Sequence, residues 1–422
     1  MKRYSEYTDS GVKWIGEIPS HWKSRFLSQI ASEQNLSNKG MINGNLLSLS
    51  YGRIIRKSMD SANGLLPASF ETYQVINNGN IILRFTDLQN DHKSLRVGLV
   101  KEEGIITSAY TCITPKKSVI SEYLYFLLHS ADIKKVFYGM GGGLRQNLNY
   151  AEFRKLRLMI PPLPEQNEIV AYLDKKISKI DKYIATAEKK IAAFDELKQV
   201  TIADAVTHGI NPNVSMKDSG IPWIGMVPEH WKLTRIKFLF NEISEKEHPE
   251  EPCLCSTQKY GVIPQSMYEN RVVVVNKGLE NLKFVRKGNF VISLRSFQGG
   301  IEIAYYQGII SAAYTILSLG NKNISSNYIK YLFKSSPFIQ LLQTCVTGIR
   351  EGQNINYELL RRQFIPIPTL SQQNEIVAYI DRKVAQIDKM KAAELAQIEK
   401  LKEYKQRLIS DVVTGKVKVT NE

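Results

Sequence analysis

Two short candidate loops gather the side chains best suited to gripping a polyanion. Residues 48–57 carry Tyr51, Arg53, Arg56 and Lys57, and residues 255–265 carry Thr257, Gln258, Lys259 and Tyr260. Further candidates are Arg84, Arg145 and Gln146 in the first half of the chain, and Arg295, Gln298, Arg350 and Gln353 in the second. Lysine and arginine neutralise phosphates and hydrogen-bond guanine edges, while asparagine and glutamine match adenine edges. Each of these residues also fits a plainer role as a solvated surface group or a hydrogen bond within the fold. Arg84 with Arg295, and Gln146 with Gln353, occur in both halves, which suits phosphate positioning or fold better than a readout that differs between halves. The overall charge agrees: 56 Lys+Arg against 41 Asp+Glu leave +15 on 422 residues, a balance that favours a polyanionic partner, nucleic acid first.

Bond-making motifs are missing. There is no Gly-x-x-x-x-Gly-Lys-Ser/Thr phosphate loop, no His-Glu-x-x-His zinc helix and no Gly-x-Ser-x-Gly elbow. Gly139-Met140-Gly141-Gly142-Gly143-Leu144 leads into Arg145-Gln146-Asn147 and reads as a loop near a polyanion rather than a nucleotide pocket. Asn211-Pro212-Asn213 lacks the aromatic residue that completes the loop of adenine methyltransferases. Cys253-Leu254-Cys255 has no second Cys/His pair nearby, so no metal is expected. The four cysteines suit reduced thiols in a cytoplasmic protein. No apolar run approaches the ~18–20 residues of a membrane span, and no signal peptide precedes Tyr4-Ser5-Glu6.

The elements that must position these residues are written twice. The segment 9–23 returns as 218–232 with 10 of 15 positions identical, including Trp14/Trp223, His21/His230 and Trp22/Trp231. Gln166-Asn167-Glu168-Ile169-Val170-Ala171-Tyr172 returns as Gln373-Asn374-Glu375-Ile376-Val377-Ala378-Tyr379. All four tryptophans lie in the two opening segments, either as structural clamps or as base-stacking platforms. The segments 24–159 and 233–365 read as mixed α/β, with strand-like runs at 80–85 and 271–275. Gly104-Ile105-Ile106 and Gly308-Ile309-Ile310 mark a shared fold, although most other positions have drifted.

A long helix follows each α/β segment. Pro161-Pro162-Leu163-Pro164 announces the first, and Thr369 with Gln372 has capping-box spacing before the second. Gly209 and Gly415 stand where terminating glycines belong. Apolar residues recur at three- and four-residue steps: Leu173, Ile177, Ile180, Ile184, Ala187, Ile191 and Phe194, then Ile380, Val384, Ile387, Ile398 and Leu401. Lys391 and Glu394 interrupt the second stripe. This predicts a coiled-coil seam between two antiparallel helices, the first spanning about 60 Å from Glu165 to Thr207 at ~1.5 Å per residue. The other reading packs each helix on its own domain. The expected division is a first mixed α/β domain with its Trp-rich opening at 1–160, a spacer helix at 161–209, a linker with the second domain at 210–365, and a second helix with a tail at 366–422. The fold class is α+β: two mixed α/β domains joined and separated by two long antiparallel helices, with internal pseudo-two-fold symmetry. In a body closed in this way the two termini would be neighbours.

The doubled order Trp-Ile-Gly-x-Ile/Val-Pro-x-His-Trp, variable region, Ile-Pro-x-Pro-x-Leu-x-x-Gln-x-x-Ile and long helix resembles the specificity subunits (HsdS) of type I restriction–modification systems. The first copy departs slightly, reading Ile160-Pro161-Pro162-Leu163-Pro164-Glu165-Gln166. The resemblance implies a non-catalytic subunit. Each variable segment would read one half of a bipartite, asymmetric site on double-stranded DNA. The helices would set the gap between half-sites and dock two modification (methyltransferase) subunits, with restriction subunits added. S-adenosylmethionine, Mg and ATP would belong to those partners and no cofactor to this chain. A stand-alone DNA-modifying enzyme and a coiled-coil adaptor are the alternatives.

Overall fold

The computed structural model describes residues 2–58, 69–88, 95–140, 147–270, 277–348 and 353–419. The run 271–275, and Arg145, Gln146 and Arg350, lie outside the described residues. The chain forms two compact units, Met1–Ala187 with Ala396–Glu422, and Glu188–Leu395. This division falls inside both long helices, so each unit holds the start of one helix and the end of the other.

In unit 1, β1 (Tyr7–Asp9) and β2 (Glu17–Pro19) form the opening hairpin, and β3 (Lys23–Phe26) pairs with β13 (Arg157–Ile160) just before the long helix. A helical turn, α1 (Leu27–Ile30), leads into β4 (Ala31–Gln34), the edge of an antiparallel sheet ordered β4-β12-β9-β10, where β9 is Ile81–Leu83, β10 Val97–Leu99 and β12 Thr111–Pro115. Beside it lie β5 (Leu36–Ser37), β8 (Gln74–Ile76) and β11 (Gly104–Ile106), and the hairpin of β6 (Leu47–Ser50) and β7 (Arg53–Arg56). Helix α2 (Ser121–Ile133) covers the sheet, α3 (Tyr150–Phe153) follows, and α4 (Leu163–Thr207) is the first long helix.

Unit 2 repeats the plan. Hairpin β14 (Met216–Asp218)–β15 (Met226–Pro228) opens it, and β16 (Lys232–Arg235) pairs with β27 (Phe364–Ile367). The sheet runs β17 (Phe240–Ile243), β24 (Thr315–Leu319), β21 (Phe290–Ile292), β22 (Glu302–Ile303). Around it are β18 (Leu254–Thr257) with β19 (Gly261–Pro264), β20 (Lys283–Val285) with β23 (Gly308–Ile310), and β25 (Val346–Thr347) with β26 (Asn354–Ile355). The helices are α5 (Ser296–Gly299), α6 (Ser326–Lys334), α7 (Ser336–Thr344), α8 (Tyr357–Leu360) and the second long helix α9 (Leu370–Val413).

Inside each unit the helices run antiparallel. In unit 2 Lys190, Asp195 and Lys198 meet Glu394, Lys391 and Asp388, at 3.0, 2.6 and 3.0 Å, so one number rises as the other falls. In unit 1 Asp181 meets Lys405 at 2.7 Å. Exposed ion pairs of this kind are each worth about 0.2–1 kcal/mol. The apolar seam therefore holds the helices while the charges fix register. Of the stripe expected from sequence, Leu173, Ile180, Ala187, Ile380, Ile387 and Ile398 are buried. Ile177, Ile184, Ile191, Phe194, Val384 and Leu401 are half-buried. Lys391 and Glu394 are the half-buried seam positions that carry the ion pairs.

The repeated residues prove to be the fastenings of this frame. Tyr123 donates one hydroxyl to the carbonyls of Met159 and Val413, at 3.1 and 3.2 Å. Tyr328 repeats this with Pro366 and Val206, at 2.9 and 3.1 Å. Each tyrosine thus joins the strand before one long helix to the end of the other. Gln166 and Gln373 are fully buried. Gln166 accepts from the Ile120 amide at 2.8 Å and donates to the Pro161 carbonyl at 2.9 Å; Gln373 does the same with Ser325 at 2.7 Å and Pro368 at 2.9 Å. Gln166→Leu and Gln373→Leu should each lower the stability of their own unit by about 2 kcal/mol, since a buried amide and a buried carbonyl lose their partner. Urea unfolding followed by amide exchange measures this, and unchanged midpoints would contradict it.

Trp22 and Trp231 are buried, which favours the clamp over base stacking for this pair. Trp22 donates to Glu165 at 3.1 Å, and His21 and Tyr4 bond the same carboxylate. Burial, and then Glu165, push the Tyr4 phenol far above its usual range. Gln372 stands in the place of Glu165 in unit 2 and meets His230 at 2.7 Å. Gly415 and Gly209 end their helices at φ +75° and +81°, and a Cβ on either would come within 3.2 Å of the Trp22 or Trp231 ring. The tail beyond Gly415 returns to the amino terminus, where the Lys418 amide donates to the Lys2 carbonyl at 2.9 Å.

Candidate nucleic-acid interface

The two stretches expected to be loops are β-hairpins. Residues 47–50 alternate Leu-Ser-Leu-Ser, a period-two pattern that pairs Leu49 with Ile54 over the sheet and turns Ser48 and Ser50 away. The turn is Tyr51-Gly52 with φ of 45° and 77°, the doubly left-handed geometry that suits the twist of a two-residue hairpin. Tyr51 is therefore thrust into solvent, 77% exposed, at the tip. Arg53, the first residue of β7, and Lys57, just beyond its end, are exposed. Arg56 is exposed too, but Glu102 holds its guanidinium, with Nε at 2.9 and 2.8 Å from the two carboxylate oxygens. That bond raises the arginine pKa and lowers that of Glu102. Arg84 is half-buried just after β9. Asn147 accepts from the Asp87 amide at 3.0 Å.

In unit 2 the turn between β18 and β19 carries the candidates. Thr257 is buried: its hydroxyl donates to the Gly261 carbonyl and accepts from the Tyr260 amide, both at 3.0 Å. It closes the turn and does not face outward, contrary to its reading as a contact residue. Gln258, Lys259 and Tyr260 are exposed, and the Lys259 ammonium sits 4.7 Å from the Tyr260 ring centre. The Gln258 side chain lies over Gly299. This brings the turn against α5, which carries exposed Gln298 and is capped by exposed Arg295. Gln353, also exposed, immediately precedes β26, which packs beside α5. Gln258, Arg295, Gln298 and Gln353 thus lie on neighbouring elements of unit 2.

Ladder register corrects one correspondence. Leu83 pairs with Thr111 and Ile292 with Thr315, so Arg84 matches Ser293 while Arg295 matches Thr86. The two arginines are near one another in sequence order but not equivalent in structure. Sequence reading also missed Arg96, which is fully buried and donates to the carbonyls of Arg84, Thr86 and Asp87 at 3.2, 2.8 and 3.1 Å. It missed Lys334, which bonds the turn, α5 and β22 together. Neither belongs to the repeated frame, so no internal comparison marks them. Tyr123 and Tyr328 did carry a signal: each stands two residues after the serine that begins its helix.

A model of the family described as the type I restriction modification DNA specificity domain matches residues 19–192 and again 228–400. The chain belongs to this family. The two matches coincide with the two copies of the frame, so a family specificity domain is what the duplication repeats. Among curated proteins, the proposed type I restriction enzyme MjaX specificity subunit of Methanocaldococcus jannaschii is 24% identical over 429 aligned residues, covering 96% of each chain. The EcoKI specificity subunit of Escherichia coli is 21% identical over 65% of this chain and 61% of its own. Among solved structures, a chain from a type I R-M system has a TM-score of 0.65 at 17% identity, over 94% of this chain and 98% of that one. The HsdS subunit from Thermoanaerobacter tengcongensis has a TM-score of 0.50 at 16% identity, over 97% and 100%. These likenesses show that the fold is that of a specificity subunit with two target-recognition domains. Among the described residues no helix is long and apolar enough to cross a membrane.

Proposed function

We propose that this chain reads a bipartite, asymmetric DNA site in the cytoplasm, one half per unit, and scaffolds modification and restriction subunits without making a bond itself. The observation that carries this reading is the contrast between a duplicated frame and unlike surfaces. Tyr123/Tyr328 and Gln166/Gln373 repeat bond for bond, whereas the exposed turns offer Tyr51 and Arg53 in one unit and Gln258, Lys259 and Tyr260 in the other. A repeated frame suits docking of two identical partners, and unlike turns suit two unlike half-sites. The two long helices set the gap, so changing their length should alter the spacing between half-sites and leave each half-site unchanged. Methylation would use S-adenosylmethionine, and cleavage Mg and ATP, bound by the partner subunits.

Competition binding with duplexes across a salt series tests the reading. A split site should be preferred by 10³-fold or more over random duplex at physiological salt. Arg53→Ala should weaken binding to all duplexes alike and reduce the salt slope by about 0.9 for each phosphate that is no longer neutralised. Equal affinity for every duplex would refute sequence reading. Methyl transfer by the chain without any partner would favour the enzyme instead.

A further inference from the structure

The two units hold the segment after their central strand with two unrelated cations. In unit 2 the ammonium of Lys334, the last residue of α6, donates to the Gly299 carbonyl at 2.9 Å, to the Gln258 carbonyl at 3.3 Å and to the carboxylate of Glu302. An ammonium has three N–H donors, and all three are engaged. Their acceptors lie on three separate elements: the hairpin turn, α5 and β22. Close packing completes the junction. A Cβ on Gly299 would come within 2.5 Å of Gln258 Cδ, and Gly300, at φ +87°, lies against the Phe333 carbonyl.

In unit 1 the comparable role falls to Arg96. Gly98 pairs with Ile82 and Glu302 with Val291, so Arg96 occupies the place of Gly300 on its ladder. Its buried guanidinium gathers the carbonyls of Arg84, Thr86 and Asp87, the segment that follows β9. By this register Arg96 holds the equivalents of Ser293, Arg295 and Ser296, while Lys334 holds Gly299, so two different side chains from two different elements each anchor part of the segment after this strand. Anchoring of the same segment by unlike residues points to a demand on it beyond folding.

We propose that Lys334 is a specificity-determining positioning residue, which fixes the turn 257–261 and α5 as one rigid reading surface, with Arg96 as its counterpart in unit 1. This rests on the DNA reading proposed above. Backbone carbonyls drawn inward by one cation cannot shift singly, so Gln258 and Gln298 present their amides at a set separation. Base-edge hydrogen bonds demand such geometry.

The test uses the full-length chain, a random duplex library and the double variant Glu302→Gln/Lys334→Met, which removes both charges of the pair together. The wild-type chain should enrich a split site. The double variant should retain one half-site and lose at least 10-fold of its base preference in the other, and Lys334→Arg should restore part of it. Amide exchange should quicken at least 10-fold at 257–261 and 295–300, with the Tyr51-Gly52 turn unchanged. Unaltered exchange at those segments, or an equal loss of preference at both half-sites, would overturn the proposal. A wild-type chain that enriches no sequence refutes the DNA reading, and the exchange measurement then decides the tether alone.

Discussion

Lys334→Met by itself should destabilise unit 2 by about 3 kcal/mol, the low end of what breaking a buried ion pair costs, because Lys334 is about a quarter exposed. Glu302 is only 4% exposed, and its burial pushes the carboxyl pKa up against the opposing pull of Lys334. Without the lysine, a carboxylate and two backbone carbonyls lose their donor in a place water does not reach freely. Glu302→Gln should cost less, since an amide still accepts from the ammonium. The double variant should recover part of the loss, because an uncompensated charge is costlier than no charge. The cost of Lys334→Met should also shrink on acidification, as the stranded carboxyl takes up a proton. Urea unfolding of the four proteins, followed by amide exchange at β21 and β24, gives the coupling energy. A Lys334→Met chain as stable as wild type at pH 7 would show that the pair contributes nothing.

Unit 1 places a different group at the same helical position. Counting from Tyr123 and Tyr328, His129 matches Lys334. His129 is 8% exposed and its Nδ1 has no hydrogen-bond partner among the described residues. Burial, and secondarily the Lys405 ammonium, push its pKa down to about 4. The Tyr125 ring lies 5.7 Å away, and Lys405 is paired with Asp181. The folded state therefore keeps His129 neutral where the unfolded chain, with an ordinary pKa of about 6.5, binds a proton. The sign follows: stability is complete above about pH 6.5, declines as pH falls and stops declining near pH 4. The total is about 3 kcal/mol at ~1.4 kcal/mol per pH unit. His129→Leu should flatten this limb. Urea unfolding of unit 1 between pH 4 and 7.5 measures it, and parallel curves for the two proteins would refute the assignment.

Much of the frame was legible because its signals are local or repeated. Capping-box spacing at Thr369 and Gln372 appears as the bonds between them, 3.4 Å from the Gln372 amide to Thr369 Oγ1 and 3.3 Å in return. The heptad stripe located the seam, and Gly209 and Gly415 located the helix ends. The candidate interface was legible only as a region. Arg56 and Thr257 are the right residue types in the right stretches, yet Glu102 holds one and the turn uses the other. Whether a polar side chain faces out or is already engaged depends on strand register and on partners far along the chain. Glu102 is 46 residues from Arg56.

The sequence by itself determined that the chain is two copies of one frame, where each long helix begins and ends, and which family the whole belongs to. Short-range periodicity and internal identity carry those facts, since capping, heptad spacing and glycine conformation act within a few residues. Only the tertiary structure decided that the identical residues are the clasps between elements: a tyrosine hydroxyl shared by two carbonyls, a buried glutamine bridging a loop and a helix start. It alone decided that Arg96 and Lys334 gather the backbone behind the reading surfaces. Many of these bonds join atoms tens to hundreds of residues apart. Their chemistry exists only once the fold has brought the carbonyls together and removed the water that would otherwise satisfy them.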